Sequence, residues 1–209
     1  MAPGSLVLGA WPPNSKINKG LRNRAPLLCR YNVLSGTSIA CPHASGVAAL
    51  LKGAHPQWSP TAIRSAIMTT ADPYDNTHSP IKDNRNNSIA SPSVMGAGKI
   101  RPNQALDPVL IYDATPQDYV NLLCSTNFTE KQIESFTGSK NYNCSSPSFD
   151  FNYPAFVLCF NNYRTSIVQK FQGTVTNVGE GAATYQVTMK TPVESKVMVS
   201  PDIDLWEEE

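Results

Sequence analysis

The chain has 209 residues, 41% of them apolar, enough to build one large domain or two small ones around a globular core. Its 17 basic and 16 acidic residues leave a net charge of +1, so no overall charge draws it toward nucleic acid or an anionic membrane. No run of about 18 apolar residues occurs, and Met1-Ala2-Pro3-Gly4 lacks the charged-then-apolar order of a secretory leader. The sequence as written is therefore expected to carry neither a signal peptide nor a membrane anchor.

The charge is unevenly placed. No acidic residue precedes Asp72, so the first 71 residues carry +7 and the remainder −6. No aromatic interleaving or RNA-binding motif accompanies the basic half, which reads as a domain half without its acidic complement rather than as a nucleic-acid surface.

In chain order, Leu6-Val7-Leu8 predicts a short buried strand closed by Pro12-Pro13-Asn14-Ser15, and residues 16–30 predict a loop. Tyr31-Asn32-Val33-Leu34 predicts a second strand that feeds Gly36. From Ala40 to Leu51 apolar residues cover every side of a helical wheel, which predicts a helix buried in the core. A buried helix launched from a strand implies an α/β domain. Ser59 as N-cap and Pro60 as first helical residue open the next helix, with Ile63, Ala66, Ile67 and Thr70 on one face and an end near Ala71-Asp72-Pro73.

Residues 74–93 are rich in Asn, Ser, Pro and Asp and predict an exposed loop. Two short helices are expected at Asp118–Leu123 and Thr129–Phe136, the second capped by Thr129 with Glu130 or Gln132 completing its first turn. Beyond Asn152-Tyr153-Pro154 the period becomes two. Tyr185, Val187 and Met189 alternate with polar residues, as do Phe171, Gly173 and Val175 and later Val197 and Val199, with a turn over Asn177–Gly181. This predicts a small all-β module over 149–209, shorter than the roughly 100 residues of an immunoglobulin-type sandwich.

The five cysteines, Cys29, Cys41, Cys124, Cys144 and Cys159, show no metal-ligand spacing, so no metal or other cofactor is expected. Cys41, on the predicted buried helix, should be a packed thiol. Asn86-Asn87-Ser88, Asn127-Phe128-Thr129 and Asn143-Cys144-Ser145 are N-glycosylation triplets, acceptors only in a secretory compartment. Gly96-Ala97-Gly98-Lys99 continues into Ile100 and so lacks the hydroxyl of a phosphate loop.

One serine stands where a nucleophile could act. Ser38 lies at the mouth of a predicted helix behind Gly36, where free N–H groups and the positive end of the helix dipole can hold an oxyanion. Pro42, expected within the first turn, should sacrifice no helical bond. A serine needs a base, and no His, Asp or Glu precedes it. His43 is five residues along the helix, about 140° around it, and points away. His55 is expected in the turn after the helix and His78 in the exposed loop. A serine-acid-histidine order through Asp72 or Asp75 and His78 is disfavoured by Ala40, which replaces the second glycine of the nucleophile elbow.

Gly36-Thr37-Ser38-Ile39-Ala40-Cys41-Pro42-His43-Ala44-Ser45-Gly46 resembles the serine signature of subtilisin-like proteases, and Trp58–Ala71 is similar to the following helix of the plant members. Gly96–Pro108 and Leu110–Asp113 resemble the next family landmark. Phe151–Phe156 and Thr174–Gly179 resemble the start of its fibronectin-III-like domain, and Ala2-Pro3-Gly4 the strand entry before the serine.

The resemblance implies the C-terminal piece of a subtilisin-like parallel-sheet domain over 1–117, a helical connector over 118–148, and a truncated fibronectin-III-like β-sandwich over 149–209. It implies that Ser38 is the nucleophile of a serine endopeptidase acting on protein or peptide substrates. The catalytic Asp, the catalytic His and the oxyanion Asn of the family have no counterpart in this sequence, so the chain alone is expected to be inactive. A Cys124–Cys144 disulfide and an extracellular location, apoplast or cell wall, with glycans at Asn86, Asn127 or Asn143, are also implied. The sequence departs from the family pattern at Ile39 for Met, Ala44 for Val, Lys99 for His and Val109 for Gly. The last is the costliest if the family's Gly holds a positive backbone angle.

Overall fold

The computed structural model describes residues 1–17, 25, 27–158, 167–191, 195–200 and 203–206, the last four by their backbone path alone. Most of the predicted 16–30 loop, Cys159 and the three C-terminal glutamates therefore lie outside the described residues.

Two strands, β1 (Val7–Ala10) and β2 (Tyr31–Leu34), pair antiparallel with Val7 opposite Leu34 and Ala10 opposite Tyr31. Both fall where the apolar runs placed them. They are not buried: Leu6, Leu8, Tyr31 and Val33 are all more than half exposed. An apolar run marks surface that can be buried, and here one face, with Val7 and Leu34, is half-buried while the other is open.

Helix α1 (Thr37–Ala54) follows β2 through Gly36, its N-cap. It begins three residues before Ala40, where apolar periodicity placed its start, and this shifts Pro42 to the sixth helical position. The missing N–H of Pro42 then leaves the Ser38 carbonyl without its i+4 donor, contrary to the expectation that the proline costs no bond. Nor is α1 buried all round. Leu51 is its one buried residue, Val47 and Ala48 pack on the core, Leu50 is 71% exposed, and Cys41 is an exposed thiol rather than a packed one. Among the described residues only one stripe of this helix has neighbours.

Helix α2 (Pro60–Thr69) is the centre of the molecule. Ser59 Oγ accepts the Ala62 amide at 3.0 Å, and Pro60 occupies the first turn, where an amide would have had no partner. Its buried face joins Ala62, Ile63 and Ala66 to Leu51, Trp58, Ala105 and Ile111 in one core cluster. Its polar residues serve the segment beside it: Ser65 Oγ accepts the Tyr112 amide at 2.8 Å, and Thr61 Oγ1 accepts the Ala114 amide at 3.3 Å. The serine and threonine that sit completely or almost completely buried in this helix are thus satisfied.

The 74–91 segment is a loop, as its composition predicts, with isolated bridges between Tyr74 and Pro80 and between Lys82 and Ile89. It leads into two short helices that periodicity did not reveal, α3 (Pro92–Met95) and α4 (Pro102–Leu106), each with proline in its first turn. Four or five residues are too few for a 3.6-residue period to register.

Of the two helices expected next, the first starts two residues ahead of Asp118 on a cap not expected from the sequence, and the second matches its expected cap. Helix α5 (Pro116–Ser125) is closed by Thr115 and Asp118, with the Thr115 amide on the Asp118 carboxylate at 2.7 Å. Helix α6 (Glu130–Thr137) is closed by Thr129, whose amide and hydroxyl both reach Gln132 Oε1 at 2.9 Å. Cys124 and Cys144 form a disulfide that ties α5 to the following loop.

Between these helices and the C-terminal segment, β3 (Leu110–Ile111) pairs antiparallel with β4 (Thr176–Asn177). Asn152 fastens the same junction, donating to the Asp113 and Thr174 carbonyls at 2.9 and 2.8 Å and accepting the Thr174 amide at 2.8 Å. Strand β5 (Ala183–Gln186) pairs antiparallel with β6 (Ile203–Trp206).

The chain is thus mixed α and β, but the described strands form three separate two-stranded antiparallel sheets in place of the expected parallel one. The alternation from Thr184 to Lys190 becomes a strand only through Gln186. Residues 171–175 and 197–199 form no strand, and no two-sheet sandwich is present among the described residues. Alternation licenses pairing, but a ladder also needs a partner strand within 5 Å.

Candidate functional site

Ser38 is exposed at the second position of α1, directly after the turn between β2 and the helix. Gly36 makes that turn at φ 155, ψ 163, a backbone setting that side-chain-bearing residues rarely adopt. Its carbonyl accepts the Ile39 and Ala40 amides at 3.0 and 3.2 Å, which starts the helix ladder. The amides of Thr37 and Ser38 precede the first intrahelical donor and face outward at the positive end of the helix.

A second segment braces this turn. Gly4 accepts the Gly36 amide at 2.7 Å, and the Leu6 amide donates to Ser35 Oγ at 2.9 Å. A Cβ on Gly4 would lie 2.8 Å from the Ala40 Cβ and 2.9 Å from the Gly36 carbonyl oxygen, so only glycine lets residues 3–6 lie across the start of α1. In sequence, Ala2-Pro3-Gly4 carries only a family resemblance. Its structural role rests on a contact 32 residues away, which no local pattern signals.

The three histidines are all placed elsewhere. His43 is exposed, and its Nδ1–H donates to the Ile39 carbonyl of its own helix at 2.9 Å. It is not packed, and it points away from Ser38 as its helical spacing predicts. His55 caps the C-terminus of α1, stacks on Trp58 with ring centroids 3.9 Å apart, and donates from Nε2 to the Leu106 carbonyl at 2.8 Å. His78 lies in the exposed loop at φ 59.

The acids are committed too. Asp72 faces Lys99 at 3.9 Å and Arg101 at 3.8 Å. The Thr77 hydroxyl and amide and the Ser79 amide, all donating to Asp75, hold its carboxyl below the usual range. Asp113 accepts from the Ser59 and Thr61 hydroxyls. Among the described residues Ser38 Oγ has no acid or imidazole partner and no three or more His, Cys, Asp or Glu gather as metal ligands. A concavity of about 550 Å³ lined by Ser125, Ser148, Phe149 and Lys170 contains no part of this site.

What the arrangement offers is therefore an exposed hydroxyl beside outward-facing helix amides, without an acceptor for its proton. No described helix is long and apolar enough to cross a membrane.

Comparison with known proteins places these features. The family described as "Subtilase family" matches residues 1–98, and "Fibronectin type-III domain" matches residues 150–203. The chain is 56% identical over 207 residues to the "Subtilisin-like protease SBT3" of Solanum lycopersicum, covering 97% of this chain and 27% of that protein. It is 40% identical over 212 residues to the "Subtilisin-like protease SBT1.5" of Arabidopsis thaliana, covering 97% and 26%. Against the "Subtilisin-like protease SBT1.7" of the same organism it is 41% identical over 208 residues, covering 97% and 27%. The chain spans about a quarter of the length of these relatives. With both matches in order along it, the chain belongs to the plant branch of the subtilisin-like serine proteases, the subtilases.

Proposed function

We propose that Ser38 is the nucleophile of a subtilisin-like serine endopeptidase and that the 209-residue chain by itself is inactive. The observation that carries this reading is the placement of Ser38: exposed, at the second position of α1, with helix amides free to hold an oxyanion. In the longer protein a base takes the Ser38 proton as Oγ attacks the peptide carbonyl. The C–N bond then breaks, the amine leaves with that proton, and water releases the acyl group from Ser38. In this chain His43, His55 and His78 are each held away from that task. Loss of the base costs subtilisin about a factor of 10⁶ in kcat, which puts the isolated chain below detection.

The boundaries that fit this reading are 1–117 for the peptidase segment, 118–148 for the connector and 149–209 for the fibronectin-III-like segment. The substrate is protein or peptide, with no nucleic acid and no cofactor involved. An extracellular setting is supported by the Cys124–Cys144 disulfide and by exposed Asn86, Asn127 and Asn143. A fluorophosphonate probe followed by intact mass measurement tests the inactivity: the isolated chain should remain unlabelled, and stoichiometric labelling at Ser38 would refute it.

A second reading, a non-catalytic interaction module, is favoured by the exposed Leu6, Leu8, Tyr31, Val33 and Leu50. It requires a monodisperse, cooperatively unfolding monomer with that face available. Concentration-dependent aggregation in sedimentation velocity would count against it.

A further inference from the structure

Two of the three glycosylation triplets, at Asn86 and Asn143, both end in serine and differ in the folded chain. Asn86 sits on an exposed turn that is held together locally. Asp83 donates its amide to the Ser88 carbonyl at 2.9 Å and accepts from the Asn87 amide at 2.8 Å, while its carboxylate takes the Arg85 amide at 2.9 Å. Asn87 turns the chain at φ 58. Inside this turn Asn86 Oδ1 accepts both the Ser88 amide, at 3.1 Å, and the Ser88 hydroxyl, at 2.8 Å. Both donors converge on the amide oxygen, which polarises the side-chain amide and leaves its Nδ2 directed away from them. Every one of these partners lies within residues 83–88, so the turn can form before the rest of the chain has folded.

Asn143 shares the local turn, its Oδ1 accepting the Ser145 amide at 2.9 Å, but it is also tied to distant residues. Its backbone carbonyl accepts from Gln117 Nε2 at 2.6 Å, and its neighbour Cys144 is bonded to Cys124, twenty residues away. Its local path is set by long-range ties to α5, and an enzyme that must draw an acceptor segment into its own groove meets that covalent tether.

We propose that Asn86 is an N-glycan acceptor, and that Asn143 is closed to glycosylation once the Cys124–Cys144 disulfide forms. In the transfer, Asn86 Nδ2 loses one proton to a base of the transferase and bonds to C1 of the first N-acetylglucosamine of a lipid-pyrophosphate-linked oligosaccharide. The C1–O bond to the pyrophosphate breaks, and the lipid pyrophosphate leaves with the oxygen and the electron pair. The proposal rests on the secretory reading above.

To separate the two, the full 209-residue chain is expressed behind an added secretory leader. Occupancy is then read site by site, by glycosidase release in heavy-oxygen water and peptide mass spectrometry. The leader supplies the compartment, so a failure here concerns the acceptor sites and not the native location. The expected result is that the Asn86 peptide is occupied and loses its glycan completely in Ser88→Ala. The Asn143 peptide should be unoccupied in the parent chain and become occupied in Cys124→Ser, with Asn86 unchanged. Occupancy is measured on total cellular and secreted protein, so a folding defect in Cys124→Ser does not remove the readout. An empty Asn86 overturns the first claim. Occupied Asn143 in disulfide-bonded chains, or Asn143 still empty in Cys124→Ser, overturns the second.

Discussion

Val109 sits at a backbone angle that carries a cost for a residue with a side chain. It is a β-branched residue at φ 65, in the left-handed region, just before β3. Its carbonyl is not free to relax, since it accepts the Val178 amide at 2.8 Å and so helps fix the junction with the C-terminal segment. A residue with a Cβ in this region costs about 1–2 kcal/mol. Glycine escapes that cost but loses roughly 0.4–1 kcal/mol through the extra freedom of its unfolded chain. The balance makes Val109→Gly more stable than Val109→Ala by about 1 kcal/mol or somewhat less. Against the parent chain Val109→Gly should be near neutral. Val109 is 39% exposed, so its methyls contribute only part of the roughly 1.5–3 kcal/mol of a fully buried valine. The Gly–Ala pair is therefore the informative comparison, because at an ordinary backbone angle its order reverses. Urea titrations with unchanged slope give both stabilities. If Val109→Ala equals or exceeds Val109→Gly, the strain assigned to this turn is wrong.

Ser59→Ala removes the cap of α2 and one of the two hydroxyls on Asp113, and should cost about 1–2 kcal/mol in the same titration; a change within error would mean the cap is replaced by water. Reducing Cys124–Cys144 releases a loop of 20 residues and should cost about 3 kcal/mol by the chain-entropy estimate. Asp75 is held ionised by Thr77 and Ser79, so its contribution to loop order is complete above the usual carboxylate range and is lost as pH falls through its lowered folded value. Thr77→Val should move the Asp75 carboxyl titration, followed by NMR, back up toward the ordinary value; an unmoved titration would remove the Thr77 hydroxyl as a cause.

Local signals were legible wherever a few neighbouring residues decide the outcome. Ser59-Pro60, Thr129 with Gln132 and the Asn177–Gly181 turn all stand as their chemistry predicts, the last with Gly179 donating to Asn177 Oδ1 at 3.0 Å and Gly181 at φ 74. The strand-turn-helix that presents Ser38 was legible for the same reason. Burial was not. The apolar residues of α1 and of the β1–β2 hairpin state what could be covered, whereas exposure depends on which neighbours are present, and few of the described residues lie against them. The C-terminal segment matches the expected fibronectin type-III domain, but its strand bounds were less legible, since alternation in 184–190 and 171–175 says which face is apolar and not which strand lies alongside. The brace of Gly4 on Gly36 was hidden because it depends on two segments far apart in sequence.

The central claim is that Ser38 is a competent nucleophile that lacks only its partners. It is tested most directly by exchanging this chain for the matching 207-residue segment of the 56%-identical tomato relative and exposing the hybrid to a fluorophosphonate probe. The account predicts labelling at Ser38 in the hybrid, none in its Ser38→Ala form, and none in the isolated chain. Labelling of the hybrid that survives Ser38→Ala, or labelling of the isolated chain equal to that of the hybrid, would contradict it.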